Sequence, residues 1–245
     1  MYRFLLTRRW LRLIAAALVV STGSALMGWW QLDRLSGRQD RNDLLERSLA
    51  AKPVAPGQLL GGSTPLDPDA EYRRVRLTGT YDVGRELLAR TRPYEGRVGY
   101  YVLTPLVPES GPALLVNRGW VPTAVTGGPP EVPEPPTVPV TVTARLRPTE
   151  PRSTTGEPPA GQVTRIHLPT IDDQVPYALY GAYADLETQE PTPDETPQLI
   201  PRPEPEQGPH LAYAFQWFLF AGIALVGVGV LARREAADRA AGKSG

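Results

Sequence analysis

Two uncharged apolar runs constrain this chain more than anything else in it. Leu13–Trp30 gives 18 consecutive residues without a charge, and Leu211–Ala232 gives 22. As helices rising about 1.5 Å per residue they reach roughly 27 and 33 Å, close to the ~30 Å hydrocarbon core of a bilayer. The first run shares features with a signal peptide, since basic residues precede it and small ones stand at Ser24 and Ala25. It exceeds the usual apolar stretch of such a peptide, and Trp29 and Trp30 sit where an interfacial anchor belongs. We read it as a retained helix. The second run is closed by Arg233 and Arg234.

Charge orients the two helices. Arg3, Arg8, Arg9 and Arg12 precede the first with no acid, while Arg233, Arg234, Arg239 and Lys243 follow the second against Glu235 and Asp238. The ends sum to +4 and +2, so a net charge of zero leaves −6 on the 178 residues from Asp33 to His210. Basic flanks stay in the cytoplasm, and a long loop between them is translocated largely regardless of its own charge. The expected division is a cytoplasmic end (1–12), a span (13–30), an outer helix extension and β domain (31–188), a Pro/acid-rich tether (189–210), a span (211–232) and a cytoplasmic end (233–245).

The outer segment reads mostly as strands. Gln31–Ala50 continues the first helix beyond the bilayer to about Ala51, and a Gly/Pro-rich loop follows to Pro68. Tyr72–Asp82, Glu86–Arg92, Val98–Pro108, Ala113–Pro122 and Thr137–Arg147 carry the β-branched and aromatic content or the period of two of half-buried strands. Val163–Leu168 and Ala182–Glu187 complete the set, with one helical turn at Pro169–Gln174. The segments 126–136, 148–161 and 189–209 are dense in Pro and acids and read as irregular. The fold class is therefore an α+β membrane protein: two transmembrane helices flanking an antiparallel β domain, a curled sheet or small open barrel.

Composition removes several functions. A balance of 26 Lys+Arg against 26 Asp+Glu argues against a nucleic-acid partner, which demands a basic surface. Without cysteine there is no disulfide framework, thiol nucleophile, zinc knuckle or c-type haem attachment. GxSxG, HExxH and GxxxxGK[ST] are all missing, and the two histidines are His167, beside a strand end, and His210, at the membrane. A membrane-anchored hydrolase working through carboxylates such as Asp172 and Asp173 would lack any partner nucleophile of the usual kinds.

Two short motifs stand out. Asn117–Pro122 (NRGWVP) reads either as a strand end, with Gly119 at a bulge and Pro122 ending the ladder, or as a recognition face made of Asn117, Arg118 and Trp120. Trp29–Arg34 (WWQLDR) reads as an interfacial anchor with Gln31 and Arg34 reaching headgroups or water. In order along the chain, GWWQLDR, YRRVRLTGTYD, RPYEGRVGYYVLTPL, LLVNRGWVP and HLAYAFQWFLF resemble the landmarks of the Surfeit locus protein 1 family, from about residue 26 to 232. The family-motif positions here are Trp30, Gln31, Arg34, Asn117, Arg118, Gly119, Trp120 and Pro122.

The resemblance implies an assembly factor, not an enzyme, in a bacterial plasma membrane. It implies partners among the haem-bearing subunit of cytochrome c oxidase and other assembly factors, with haem a as the group supplied or stabilised. Haem iron takes an imidazole as axial ligand. His210 is the single such group near the bilayer, with Tyr213, Ala214 and Trp217 following it on one helical face. Either His210 is that metal ligand, with Tyr213 and Trp217 lining the porphyrin, or the three form an ordinary interfacial belt. A scaffold of the same pathway that never touches haem is the rival reading. Within the membrane, Ser21, Ser24, Ala25 and Gly28 give the first helix a small-residue stripe, and Gly222 and Gly229 mark a face of the second.

Overall fold

A computed structural model of the chain describes residues 3–124, 130–154, 156, 158–205 and 208–241. Its helices are α1 (Arg8–Ala50), α2 (Leu168–Asp172) and α3 (His210–Ala241). Its strands are β1 (Arg74–Tyr81), β2 (Leu87–Tyr94), β3 (Arg97–Val107), β4 (Ala113–Pro122), β5 (Val140–Pro148), β6 (Gln162–Val163) and β7 (Leu179–Glu190). They divide into two units, one of Met1–Asp43 with Pro205–Gly245 and one of Leu44–Glu204.

The first unit is built on the apolar helices. No proline interrupts α1 over its 43 residues, and Pro53 bars its continuation. Both α1 and α3 are long and apolar enough to cross a membrane. Large apolar side chains face outward, with Val19 73%, Phe215 71% and Val226 65% exposed, an apolar surface of the kind that marks a membrane or partner contact. The stripe on α1 is what meets α3. Ser21 Oγ donates to the Ala221 carbonyl at 3.1 Å, and a Cβ on Gly28 would lie 2.9 Å from the Phe218 ring. Ser24, Ala214 and Ala221 are buried alongside. Small residues let the backbones approach, and a hydroxyl in apolar surroundings finds its acceptor across the pair. Gly222 and Gly229 take no part, since nothing lies within 4 Å of a Cβ built on either.

The second unit is a mixed sheet, ordered β1-β5-β7-β4-β3-β2-β6, and β1 also pairs with β3. The pairings therefore close a ring of five strands, β1–β5–β7–β4–β3–β1, with β2 and β6 appended. This is the connectivity of an OB-type Greek-key barrel. The expectation of a purely antiparallel sheet is corrected: β4 and β7 run parallel, as do β2 and β6. The long connection from β4 through β5 returns the chain to the same end of the barrel before β7 begins, which local strand patterns do not encode.

Closure turns on one glycine. Arg74 to Gly79 pair with β5, whereas Thr80 and Tyr81 pair with β3. A Cβ on Gly79 would meet the Val107 carbonyl oxygen at 2.5 Å, so only glycine lets β1 pass from one partner to the other.

Alternation then sorts the side chains. Val75, Leu106, Leu114, Val116, Val142, Ala144, Leu146, Ala182 and Ala184 fill the barrel interior. Their neighbours Leu103, Leu115, Leu179 and Tyr183 point to the outer face, where Ile166, Leu168 and Ile171 of the α2 region cover them. The stretch expected as a strand at Val163–Leu168 is mostly loop, because Ile166 and Leu168 serve as that cover and α2 starts at Leu168. Residues 126–129 of the irregular 126–136 segment lie outside the described residues. In the Pro-rich 189–210 segment, Gln198 pairs with Trp120 through two backbone hydrogen bonds (2.7 and 2.9 Å), and Arg145 Nη2 donates to the Ile200 carbonyl at 2.9 Å.

Candidate functional site

Within the helical unit, α3 opens at His210 directly after Pro209, whose carbonyl accepts the first helical hydrogen bond from Tyr213 N at 3.1 Å. The His210 ring meets α1: Nδ1 lies 2.8 Å from Gln31 Oε1. An amide oxygen accepts, so Nδ1 is the donor in this contact. Among the described residues the other ring nitrogen, Nε2, is buried and has no hydrogen-bond partner. Gly208, with φ at +58°, runs beside the ring, and a Cβ there would lie 3.3 Å from Nε2. A glycine at this point keeps side-chain bulk off the ring edge.

Two halves of the sequence's membrane motifs thus meet in one hydrogen bond. The remaining members are more exposed. Trp30 is 47% exposed, with the Arg34 guanidinium 5.6 Å from its ring centroid. Tyr213 is 46% exposed, and Trp217 packs edge-on against Phe220 at 5.9 Å. Ala214, on the His210 face, is buried.

Asn117, Arg118, Gly119, Trp120 and Pro122 belong to the other unit. The β3–β4 register slips here, Val102 facing Gly119 and Leu103 facing Asn117, so Arg118 is the bulged residue. Asn117 Oδ1 accepts from Gly119 N at 3.2 Å and its Nδ2 donates to Asp185 Oδ1 at 2.8 Å. Arg118 is 1% exposed; it donates to Glu86 Oε2 at 2.9 Å and to the Pro133 carbonyl at 2.6 Å, and lies over the Tyr81 ring. Gly119 has φ at +141°, and its missing side chain makes room for the Gln198 carbonyl, 2.5 Å from where a Cβ would be. Trp120 Nε1 donates to the Arg92 carbonyl at 2.8 Å. Each polar side chain of the motif bonds inside the domain, which is the geometry of a strand bulge and not of an open face. His167 Nδ1 pairs with Thr170 Oγ1 at 2.8 Å at the start of α2.

The model of the SURF1 family matches residues 18–222. The chain belongs to the SURF1 family. A SURF1-like protein of Mycobacterium bovis is 35% identical over 251 residues, covering 99% of this chain and 90% of the relative. The cytochrome oxidase assembly protein SHY1 of Saccharomyces cerevisiae is 32% identical over 100 residues, 40% of this chain and 25% of that protein. Surfeit locus protein 1 of Takifugu rubripes is 32% identical over 116 residues, 39% of this chain and 45% of that protein. The resemblance carried by GWWQLDR, LLVNRGWVP and HLAYAFQWFLF is therefore borne out.

The β domain of this SURF1-family chain also holds a charged cluster that strand patterns did not single out. Asp185 of β7 lies in register with Arg145 of β5 and Asn117 of β4, all on the outer face. Burial pushes the Asp185 carboxyl above the usual carboxylate range, against the pull of Arg147 and the Asn117 hydrogen bond. Burial also lowers the Arg145 guanidinium, which Asp185 and Glu187 only partly offset. Arg145 and Arg147 stand two apart in TARLRP, and period two assigns them to one face. That the face is roofed by residues 200–203 is a long-range fact without a local signal.

Proposed function

We propose that this chain is a membrane assembly factor for a haem–copper cytochrome c oxidase, which presents or retains haem a for the subunit that will hold it. The observation that carries the reading is the His210–Gln31 pair. Gln31 holds Nδ1, and the ring keeps an unpaired Nε2 of the kind that serves as an axial ligand, with its tautomer set by the second nitrogen. The chemistry of the donor set fits: when bound, haem supplies an iron that takes a neutral imidazole. Gln31 orients the ring, Gly208 runs beside it without a side chain, and Tyr213 and Trp217 offer aromatic surface on the same helix. Family membership and the name of the yeast relative supply the link to oxidase assembly.

In this reading α1 and α3 span a bacterial plasma membrane, both termini are cytoplasmic and the barrel is extracytoplasmic. The basic flanks of both apolar runs support that orientation. Partners are the haem-bearing oxidase subunit and other assembly factors. The role is binding and hand-over, not catalysis. A scaffold reading draws on the same hydrogen bond, because a His–Gln contact between two apolar helices also works as a simple clamp.

Deletion of the gene tests the function. Assembled, haem-a-containing oxidase should fall while quinol-oxidising routes continue, and the intact gene should restore it. Normal haem a content and normal oxidase turnover in the deletion strain would overturn the proposal.

A further inference from the structure

On the outer face of the barrel lies a pocket of about 350 Å³, whose walls include Arg92, Arg145, Arg147, Glu150 and Asp185 and whose roof is Ile200–Pro203. It is separate from the helical unit that holds His210. Its volume falls within the range of small-molecule sites. With Arg202 the lining carries four arginines against two carboxylates, and behind it Glu71 lies 3.6 Å from Arg147 Nη1 and Glu187 3.3 Å from Arg202 Nε.

Hydrogen bonding sharpens this imbalance. Both carboxylates of the wall are already engaged. Glu150 takes a bidentate pair from Arg92 at 2.8 and 2.9 Å and a third bond from Ile166 N at 2.9 Å. Asp185 takes the Asn117 amide. The guanidinium groups are less well served. Arg145 has only 2% of its side chain exposed, and its nearest carboxylate oxygen, on Glu187, stands 3.8 Å from Nε. The Nε of Arg92, of Arg145 and of Arg147 are all buried without a hydrogen-bond partner among the described residues. Against these three donors stands one unpartnered buried acceptor, Glu187 Oε1, behind the wall at 3.8 Å from Arg145 Nε and 3.3 Å from Arg202 Nε. An unpaired donor attached to a buried cation is costly, and the group that resolves it is an anionic acceptor.

We propose that this pocket binds a small oxyanion, a phosphate or carboxylate group. Planar guanidinium forks match the oxygens of both, and the tyrosines of the wall, Tyr72, Tyr101 and Tyr183, give the rest of such a ligand flat surface to lie on. The volume limits the occupant to a small molecule and excludes a folded partner. The roof explains how the site is made from distant parts of the chain: Arg145 Nη2 holds the Ile200 and Pro201 carbonyls at 2.9 and 3.3 Å, and Arg202 Nε lies 3.3 Å from Glu187.

The test uses the full chain in detergent, titrated with inorganic phosphate and separately with succinate at ionic strength held constant with chloride. Calorimetry should show saturable binding of one of them with a Kd of about 1 mM or tighter. Arg147→Gln should weaken it by about ten-fold or more, the loss of one charge-assisted hydrogen bond. Arg76→Gln, at an exposed position on β1, should leave it unchanged. Should Arg147→Gln lack a cooperative unfolding transition, Arg202→Gln replaces it with the same expectation, since that side chain is 62% exposed. Saturation by phosphate alone assigns a phosphate ligand, and by succinate alone a carboxylate. No saturable heat with either probe, or equal weakening in the pocket variant and Arg76→Gln, would overturn the proposal.

Discussion

His210 Nδ1 and Gln31 Oε1 lie 2.8 Å apart although 179 residues separate them in the chain. The contact joins the start of α3 to the α1 turn that follows the first apolar run. Its consequence is chemical as well as structural, because the amide engages Nδ1 and leaves Nε2 as the ring nitrogen without a partner among the described residues. Substituting Gln31 should therefore act on ligand affinity before it acts on folding. Gln31→Leu should insert and fold yet retain haem about ten-fold less tightly, whereas Gln31→Glu, which keeps an acceptor, should stay near wild type. Haem retained per mole of purified protein is the measurement; equal retention in both variants would show that Gln31 does not orient the ring.

Arg118 should prove indispensable to the barrel itself. It is buried with its charge shared between Glu86 and the Pro133 carbonyl. Arg118→Met would leave Glu86, also bound to Thr104 Oγ1, without its cation. Breaking such a pair by removing one partner costs about 3 kcal/mol or more. Thermal unfolding of the variant should reveal that loss. Unchanged stability combined with lost oxidase assembly would instead restore the recognition-face reading of NRGWVP.

Much of this architecture was legible in the residues, and the parts that were not share a cause. The ends of β4 and the reach of α1 to Ala50 follow from local punctuation, Pro122 in one case and an unbroken helical run before Pro53 in the other. The bulge at Arg118 follows from Gly119. Strand partners do not follow from local pattern: the parallel β4–β7 pair and the switch at Gly79 are settled by contacts between residues far apart. The His210–Gln31 contact was present as two separate motifs whose meeting needed α1 and α3 to pack. Arg145 and Arg147 were not singled out, because the period of two places them on one face of β5 but says nothing of the 200–203 roof that covers it.

Stability should respond to acid through Glu150. Burial raises its carboxyl, but hydrogen bonds from Arg92 and from Ile166 N outweigh it and hold the group below the usual range. A depressed folded value contributes stability above the unfolded pKa of about 4.3, and that contribution is lost as pH falls through the folded value. Glu150→Gln should therefore melt lower than wild type at pH 7, and the gap should close as the pH falls below about 4. A gap that is constant with pH would assign the effect to packing.

Orientation is checked by reporters. Fusions at both termini should behave as cytoplasmic, and one placed after Gly111, in the turn between β3 and β4, as external. The basic flanks of the two apolar runs motivate this. A cytoplasmic signal at Gly111 would reverse the topology.

The central claim, that His210 ligates haem, is tested most directly by the Soret absorption of the chain purified in detergent from a haem-a-producing host. Wild type and His167→Ala should show the band, and His210→Ala should lose it while its β domain still unfolds cooperatively. A band of undiminished intensity in His210→Ala, or none in the wild type, would contradict the account and leave the His210–Gln31 pair as a clamp between helices.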